Sequence, residues 1–181
     1  MHAVVVYESM FGNTHVIADH VAAGLGAAPG VDVTVMSVHD AVPEVISSAD
    51  LLVVGGPTHV HGMSNRQSRI GAKDMAAKDD DLELDPDWEG PGLRDWFDSL
   101  VELNNCPAAA FDTRIHATAL LTGQASKGIA KRLHKHGCTL VVEAESFFVD
   151  KSSHLEPDEA DRATQWGRSI ADAVATAQTG S

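Results

Sequence analysis

Residues 3–25 constrain the fold more than any other stretch, because they combine a buried strand, a tight loop and an amphipathic helix. Residues 3–7 form a Val-rich apolar run, which is typical of a strand covered on both faces. After the loop, apolar residues recur at helical spacing, at Ile17, Val21 and Leu25. The first turn of such a helix presents unpaired N–H groups and the positive end of the helix dipole. The stretch therefore predicts an anion site.

The loop at residues 9–14, here named the phosphate loop, determines which kind of anion the site can bind. Ser9, Asn13 and Thr14 supply side-chain donors, whereas the loop contains no Lys or Arg. The Gly-Lys-Ser/Thr ending of a nucleotide-triphosphate loop is absent from the chain. A bound phosphate would therefore be held by neutral dipoles. A capped helix that follows a buried strand and binds nothing is the alternative interpretation.

The sequence YESMFGNT at residues 7–14 resembles the phosphate-binding loop of the flavodoxin family, Ser/Thr-x-Thr-Gly-x-Thr. Ser9, Gly12 and Thr14 match that pattern, while Phe11 stands where many members carry Thr or Ser. The resemblance implies a flavodoxin-like fold and a non-covalently bound FMN. It assigns the phosphate of FMN to Ser9, Met10, Phe11, Gly12, Asn13 and Thr14.

The remaining strands follow the alternation of strand and helix that produces a parallel sheet. They are predicted at residues 31–38, 51–54, 108–113 and 139–149. Residues 31–38 alternate apolar with polar, as an edge strand does, whereas 51–54 are continuously apolar. We therefore predict the α/β class: a doubly wound, five-stranded parallel sheet of order 2-1-3-4-5 in a three-layer α/β/α arrangement.

Two further loops are expected at the crevice where the winding direction changes, beyond the strand ends. The first, at residues 55–63, combines Gly with hydroxyl residues, so that backbone can approach a ligand closely. By resemblance it lies along the flavin ring through Pro57, Thr58, His59, Val60, His61, Gly62 and Met63, with His59 or Met63 facing the ring. The second loop covers the other face and contributes Asp112, Thr113, Arg114 and His116. The spacing of His59 and His61 could suit a metal, but no acidic or Cys ligand accompanies them, and we predict none.

Length and charge limit the possible partners. The chain has 181 residues, enough for one domain over 1–181, and its 13 basic and 26 acidic residues give a net charge of −13. Nucleic acid and anionic membranes are therefore unfavourable partners, and protein partners with basic faces are favoured. No apolar run is long enough to cross a membrane and no leader segment is visible, so we expect a cytoplasmic protein. Cys106 and Cys138 suggest a reducing compartment and small buried side chains.

The most acidic part of the chain is an insertion at about residues 73–99. Between positions 74 and 98 it contains ten acidic residues against Lys78 and Arg94. Its Pro and Gly residues predict a loop that leads into a helix at about 92–103, with a buried stripe of Trp96, Leu100 and Leu103. It either steers a basic partner towards the flavin or only solvates the surface.

By resemblance, the protein transfers low-potential electrons between redox partners, a reductase and an acceptor, and we expect a monomer. No nucleophile is paired with a base, so no catalytic side chain is predicted. Two alternatives remain. The first is an FMN-dependent NAD(P)H:quinone-type reductase, and the second is a flavodoxin-fold binding or regulatory module without flavin.

Overall fold

A computed structural model describes residues 1–59, 62–118 and 122–179 of the chain. Within these ranges the strands are β1 His2–Tyr7, β2 Asp32–Ser37, β3 Leu51–His59, β4 Gly62–Met63, β5 Pro107–Ile115, β6 Thr139–Leu140 and β7 Glu145–Val149. The helices are α1 Asn13–Gly26, α2 Pro43–Ile46, α3 Arg66–Ala76, α4 Leu93–Ser99, α5 Ala125–Lys135 and α6 Glu159–Thr179.

The sheet confirms the predicted order, with β5 as the fourth predicted strand and β6 and β7 together as the fifth. β2, β1, β3 and β5 lie side by side in parallel, and both β6 and β7 pair in parallel with the free edge of β5. β4 is an exception, because it folds back antiparallel onto the end of β3. The C-terminal ends of β1, β3, β5 and β7 therefore meet at one edge of the sheet, where the predicted loops emerge.

The core consists of two apolar clusters, one on each face of the sheet. Alternate residues of the central strands enter opposite clusters: Val5 and Val53 share one with α1 and α6, whereas Val4 and Val54 share the other with α2, α4 and α5. This double burial explains why the central strands are continuously apolar, while β2 at the edge is only partly buried.

α1 and α6 approach each other closely through two glycines. A Cβ on Gly24 would lie 2.1 Å from the carbonyl oxygen of Thr164, and one on Gly167 would lie 2.2 Å from that of Val21. The two backbones can touch only because neither glycine has a side chain. This contact fixes the helix that presents the phosphate loop.

The predicted last strand, residues 139–149, is interrupted. β6 and β7 leave residues 141–144 between them, and these four residues face only Ala109 and Ala110 of β5. Two extra residues on the outer strand form a bulge, for which a peripheral strand has room. The prediction of one continuous strand was wrong in this respect.

The acidic insertion is more helical at its start than predicted and less so at its end. α3 already covers residues 66–76, and α4 ends at Ser99 because Leu100 adopts an extended conformation. Leu100 and Leu103 are nevertheless buried, so the predicted apolar stripe is correct although the helix is shorter than predicted. The side chains reach the core from a loop rather than from helical turns.

Candidate functional site

A cavity of about 260 Å³ opens at the C-terminal edge of the sheet, between the loops that follow β1, β3, β5 and β7. Its volume is close to the lower end of the ~300–1,000 Å³ typical of ligand pockets. The residues that line it are Ser9, Met10, Phe11, Asn13, Thr14, Pro57, Thr58, His59, Met75, Thr113, Arg114, Ile115, Val149 and Ser153. Here it is called the cleft.

The phosphate loop forms one end of the cleft. Gly12 precedes α1 with φ 80°, a left-handed conformation that favours glycine and turns the chain into the helix. The Ser9 hydroxyl is buried and has no hydrogen-bond partner among the described residues. The Thr14 hydroxyl contacts that of Thr113 at 2.7 Å, and the amide of Asn13 donates to the Ser153 carbonyl at 2.6 Å. Of the three donor side chains of the loop, that of Ser9 is therefore free, whereas those of Asn13 and Thr14 are engaged within the protein.

The range 57–64 is here named the ring loop; its residues Pro57, Thr58 and His59 form the neighbouring wall of the cleft, and Thr58 fixes this end. The Thr58 hydroxyl donates to Asp112 at 2.8 Å and accepts from the backbone N–H of Ala125 at 2.8 Å. Asp112 also accepts from the N–H of Ser126 at 2.9 Å. The start of α5 and the end of β5 therefore hold this end of the ring loop.

A buried charged network fixes the other end of the ring loop. Glu8 is 5% exposed, accepts from the Ser64 hydroxyl and accepts from the Leu93 N–H at 2.8 Å. The guanidinium of Arg69, 8% exposed, lies 4.0 Å from Glu8 and 3.3 Å from Asp95. This network joins the residue that precedes the phosphate loop to the ring loop, α3 and α4.

Arg94 adds a second attachment at the same end. Its side chain donates to the carbonyl of Met63 at 3.0 and 3.2 Å and to that of Ser64 at 2.9 Å. Because a guanidinium has several donors in a fixed plane, it can hold two successive carbonyls at once. Side-chain contacts therefore hold both described ends of the ring loop.

Two basic side chains face the cleft with unpaired nitrogens. Nε2 of His59 and Nε of Arg114 are buried and lack a hydrogen-bond partner among the described residues. Burial, and then the nearby Arg69, lower the pKa of His59 below its usual value, so the imidazole is neutral at pH 7. Arg114 stacks on Phe148 at 4.8 Å and donates to the carbonyl of Ala117 at 2.7 Å. Both side chains are placed to form hydrogen bonds with a polar ligand.

The acidic insertion contacts the outer side of the phosphate loop through Asp85. This residue is 3% exposed, donates its N–H to the Met10 carbonyl at 2.9 Å, and lies 3.3 Å from the ring of His15. His15 stacks on Tyr7 at 4.3 Å. Burial, and then Asp85 and other carboxylates, raise the pKa of Tyr7 above its usual value. Part of the insertion is thus packed against a loop that is far from it in the sequence.

The structure brings most of the predicted site residues to the cleft, but not all of them. Met63 is buried in the core on the α5 face, so that His59, rather than Met63, lines the cleft. Asp112 lies beneath the cleft, and the His116 ring stacks on Phe148 outside the cleft and pairs with Glu156. Gly62 pairs with His59 in the antiparallel contact of β3 with β4, and Gly12 shapes the phosphate loop without lining the cleft. Val60 and His61 are outside the described residues.

Sequence reasoning missed several residues of the site. Met75 enters from α3, and Val149 and Ser153 enter from the last strand and the loop after it. The polar run at residues 150–154 follows a strand that ends at the same edge, which could have indicated its place. The ion pair of Glu8 with Arg69 cannot be recognised from a local sequence pattern, because the two residues are far apart in the sequence.

A second cavity, of about 600 Å³, lies between α3 and the loop that precedes α4. Arg66, Lys73 and Trp88 are among the residues that line it, and the Lys73 ammonium lies 5.4 Å from the Trp88 ring. Although it is larger than the cleft, none of its lining residues belongs to the phosphate loop or the ring loop. We therefore place the candidate site in the cleft.

No group of three or more His, Cys, Asp or Glu in the described part of the chain is arranged to hold a metal ion. Within residues 1–59, 62–118 and 122–179, no helix combines the length and apolar character needed to cross a bilayer.

Comparisons with known proteins point to one family. A family model for flavodoxin matches residues 5–111, which contain the phosphate loop and the ring loop. The fold is similar to that of an archaeal flavodoxin, with a TM-score of 0.65, 20% identity and coverage of 96% of this chain and 99% of that one.

The fold is also similar to flavodoxin 1 from Bacillus cereus, with a TM-score of 0.68, 20% identity and coverage of 95% and 98%. For a WrbA-like flavodoxin from Agrobacterium tumefaciens the values are 0.61, 19%, 97% and 98%. None of the curated proteins compared with the chain matches it.

Proposed function

The chain belongs to the flavodoxin family, and from that premise we propose that it binds FMN in the cleft and transfers electrons between redox proteins. The observation that carries the proposal is the group of unpaired buried polar atoms at the cleft. Ser9 Oγ in the phosphate loop, His59 Nε2 at the end of β3 and Arg114 Nε near the end of β5 converge on one cavity. Buried polar atoms without partners cost free energy, which a polar ligand would offset.

The phosphate loop fits the phosphate of FMN. The N-terminus of α1 supplies backbone N–H groups and a favourable dipole, and Ser9 supplies a free hydroxyl. Thr14 and Asn13 line the same end of the cleft. The loop has no G-x-G-x-x-G pattern, so a dinucleotide is the less suitable ligand.

The ring loop and the loop after β5 fit the two faces of a planar ring. When bound, FMN supplies reversible electron transfer, and the protein orients it and tunes its electronics. Thr58 and Ser64 fix the ring loop, so His59 is held beside the cavity. Arg114 also lines the cavity, where its positive charge would stabilise negative charge on the ligand.

The partner that we propose is a redox protein with a basic face. Asp85 attaches the acidic insertion to the phosphate loop, so its negative charge lies beside the cleft. Acidic residues near the flavin edge would attract a basic partner surface and speed its association. Dissolved salt screens this attraction over a Debye length of ~8–10 Å.

The steering test uses Asp79, Asp80 and Asp81, which are exposed. Changing all three to Asn should slow electron transfer to a basic acceptor protein at low salt and flatten the dependence of its rate on salt. The matched control neutralises three exposed acids elsewhere, Asp158, Asp161 and Asp172, with the same change in net charge. Stopped-flow rates that agree for both variants at every ionic strength would show that only the net charge matters.

A reductase is the second candidate, and the second cavity favours it. Arg66 forms no ion pair among the described residues and Lys73 faces Trp88, so a ligand with phosphate and a planar base would find complementary groups there. Steady oxidation of NADPH by a free quinone, without an added reductase, would establish this function. A carrier should show little turnover under those conditions. A purified protein without a flavin absorption band, which takes up no FMN, would instead be a binding module.

A further inference from the structure

Cys106 and Cys138 are neighbours at the N-terminal edge of the sheet, opposite the cleft. They directly precede Pro107 and Thr139, which are paired in the parallel register of β5 and β6. The N–H of Thr139 donates to the carbonyl of Cys106 at 2.9 Å, so the two backbones are joined at the cysteines themselves. Adjacent strands lie about 4.8 Å apart, which is within the ~4.4–6.8 Å between Cα atoms that a disulfide requires.

The two side chains also point into the same space. Cys138 is a member of the apolar cluster on the α5 face, and Cys106 packs against that cluster. The Cys106 thiol donates to the carbonyl of Pro107 at 3.4 Å, and neither cysteine is in a disulfide. These are the only two cysteines of the chain, so any thiol chemistry within one molecule must involve this pair.

The pair is asymmetric in both exposure and acidity. Cys106 is half-buried and lines a surface cavity of about 360 Å³, whereas Cys138 is 2% exposed. Interaction with the Cys138 thiol lowers the pKa of the Cys106 thiol, although burial acts against it, and interaction with the backbone of Leu52 adds to the lowering. Interaction with Cys106, together with burial, raises the pKa of Cys138. A small oxidant would therefore meet the more reactive thiol first.

We propose that Cys106 and Cys138 form a reversible disulfide, with Cys106 as the thiol that reacts with a peroxide and Cys138 as the thiol that resolves it. In the first step the Cys106 thiolate attacks hydrogen peroxide, the O–O bond breaks, and a sulfenic acid and hydroxide form. In the second step the Cys138 sulfur displaces water from that sulfenic acid. The sum is two thiols and one peroxide giving one disulfide and two waters, so that the sulfurs lose two electrons and the peroxide gains them.

The modification is independent of flavin, because the cysteines lie at the edge of the sheet opposite the cleft. Formation of the bond would link β5 covalently to β6 across α5. Because the register already brings the two residues together, bond formation requires little movement of the backbone. A thiol reductant such as reduced glutathione would reverse it by exchange.

The test treats the reduced protein with hydrogen peroxide and follows both thiols by alkylation and mass spectrometry. The expected product has lost both thiols together, is lighter by two hydrogens, contains a peptide that joins Cys106 to Cys138, and reverts with dithiothreitol. Two sulfenic or sulfinic acids without a cross-link, a cross-link only between molecules, or no reaction where free cysteine is fully oxidised would each overturn the proposal.

Two single variants separate the roles of the thiols. In Cys138→Ser, Cys106 should react at a rate within about threefold of the wild type and stop at a sulfenic acid that dimedone traps. In Cys106→Ser, Cys138 should react at least about tenfold more slowly, because it is buried and its pKa is raised. If Cys138 in the Cys106→Ser variant reacts with peroxide as fast as Cys106 does in the wild type, Cys106 is not the preferred thiol and the assignment of the two roles is wrong. The cross-linked peptide of the wild type tests the pair even if a variant folds poorly.

Discussion

The phosphate loop and the ring loop border the same cleft, but they are held in different ways. Side-chain hydrogen bonds fix the ring loop at both ends, from Thr58 to Asp112 and from Ser64 to Glu8. The phosphate loop is held from outside, through the Asn13 side chain and the Met10 carbonyl, and its Ser9 hydroxyl is left without a partner.

The comparison indicates that the two loops have different roles in binding a ligand. A flat ligand ring needs a wall that is already in place, because ordering a loop on binding costs conformational entropy. A phosphate needs donors that are not already committed, and each buried donor left free costs about 1–3 kcal/mol until a ligand arrives. Stability should therefore respond most to changes behind the ring loop, and ligand affinity most to changes in the phosphate loop.

The largest effect on stability is expected from Arg69→Met. The change leaves the Glu8 carboxylate buried without its cation, and breaking a buried pair costs about 3–5 kcal/mol. Urea unfolding should show a loss near the lower end of that range, since the atoms are 4.0 Å apart. Arg66→Met, on the same helix but exposed, should change the free energy of unfolding by less than about 0.5 kcal/mol. Equal losses in the two variants would mean that the network contributes nothing.

Thr58→Val should have the next largest effect. It removes the hydroxyl that donates to Asp112 and accepts from Ala125, and it leaves a buried N–H without its acceptor. The expected cost is about 1–3 kcal/mol in the free energy of unfolding. Thr176→Val, an exposed change on α6, is the matched control. If both variants unfold at the wild-type urea concentration, Thr58 does not hold the ring loop.

The smallest effect concerns pH and His59. Its pKa is lower in the folded chain than the usual value of about 6.5, so the unfolded chain binds the proton first as pH falls. Stability should therefore decrease as pH falls below about 6.5, and this part of the decrease should be missing in His59→Gln. Urea midpoints at several pH values between about 5 and 8 measure the difference. Parallel curves for the two proteins would contradict the assignment.

The fold could be predicted from the sequence to the extent that local patterns determine it. The apolar runs at residues 3–7 and 51–54 require strands buried on both faces, and the alternation with helices leads to the observed order. The phosphate loop was recognisable because its residues are consecutive. Local pattern also placed Trp96 correctly in the core.

The remaining features depend on contacts between residues that are far apart in the chain. Nothing near Glu8 indicates that Arg69 and Leu93 will surround it. The early end of α4 reflects the path of Leu100 towards the core, which overrides a helical pattern. Met63 was expected beside the ligand, but the short β4 turns its side chain into the core. Strand register alone brings Cys106 next to Cys138.

The most direct test of the account is titration of flavin-free protein with FMN, followed by quenching of flavin fluorescence. The wild type should bind one FMN per chain, and Ser9→Ala combined with Thr14→Ala should weaken binding at least about tenfold, since each hydrogen bond to a charged group contributes about 1.5–3 kcal/mol. Ser47→Ala combined with Ser48→Ala removes two exposed hydroxyls beyond α2 and should leave the affinity unchanged. Equal FMN affinity for the phosphate-loop variant and the wild type would contradict the assignment of the cleft.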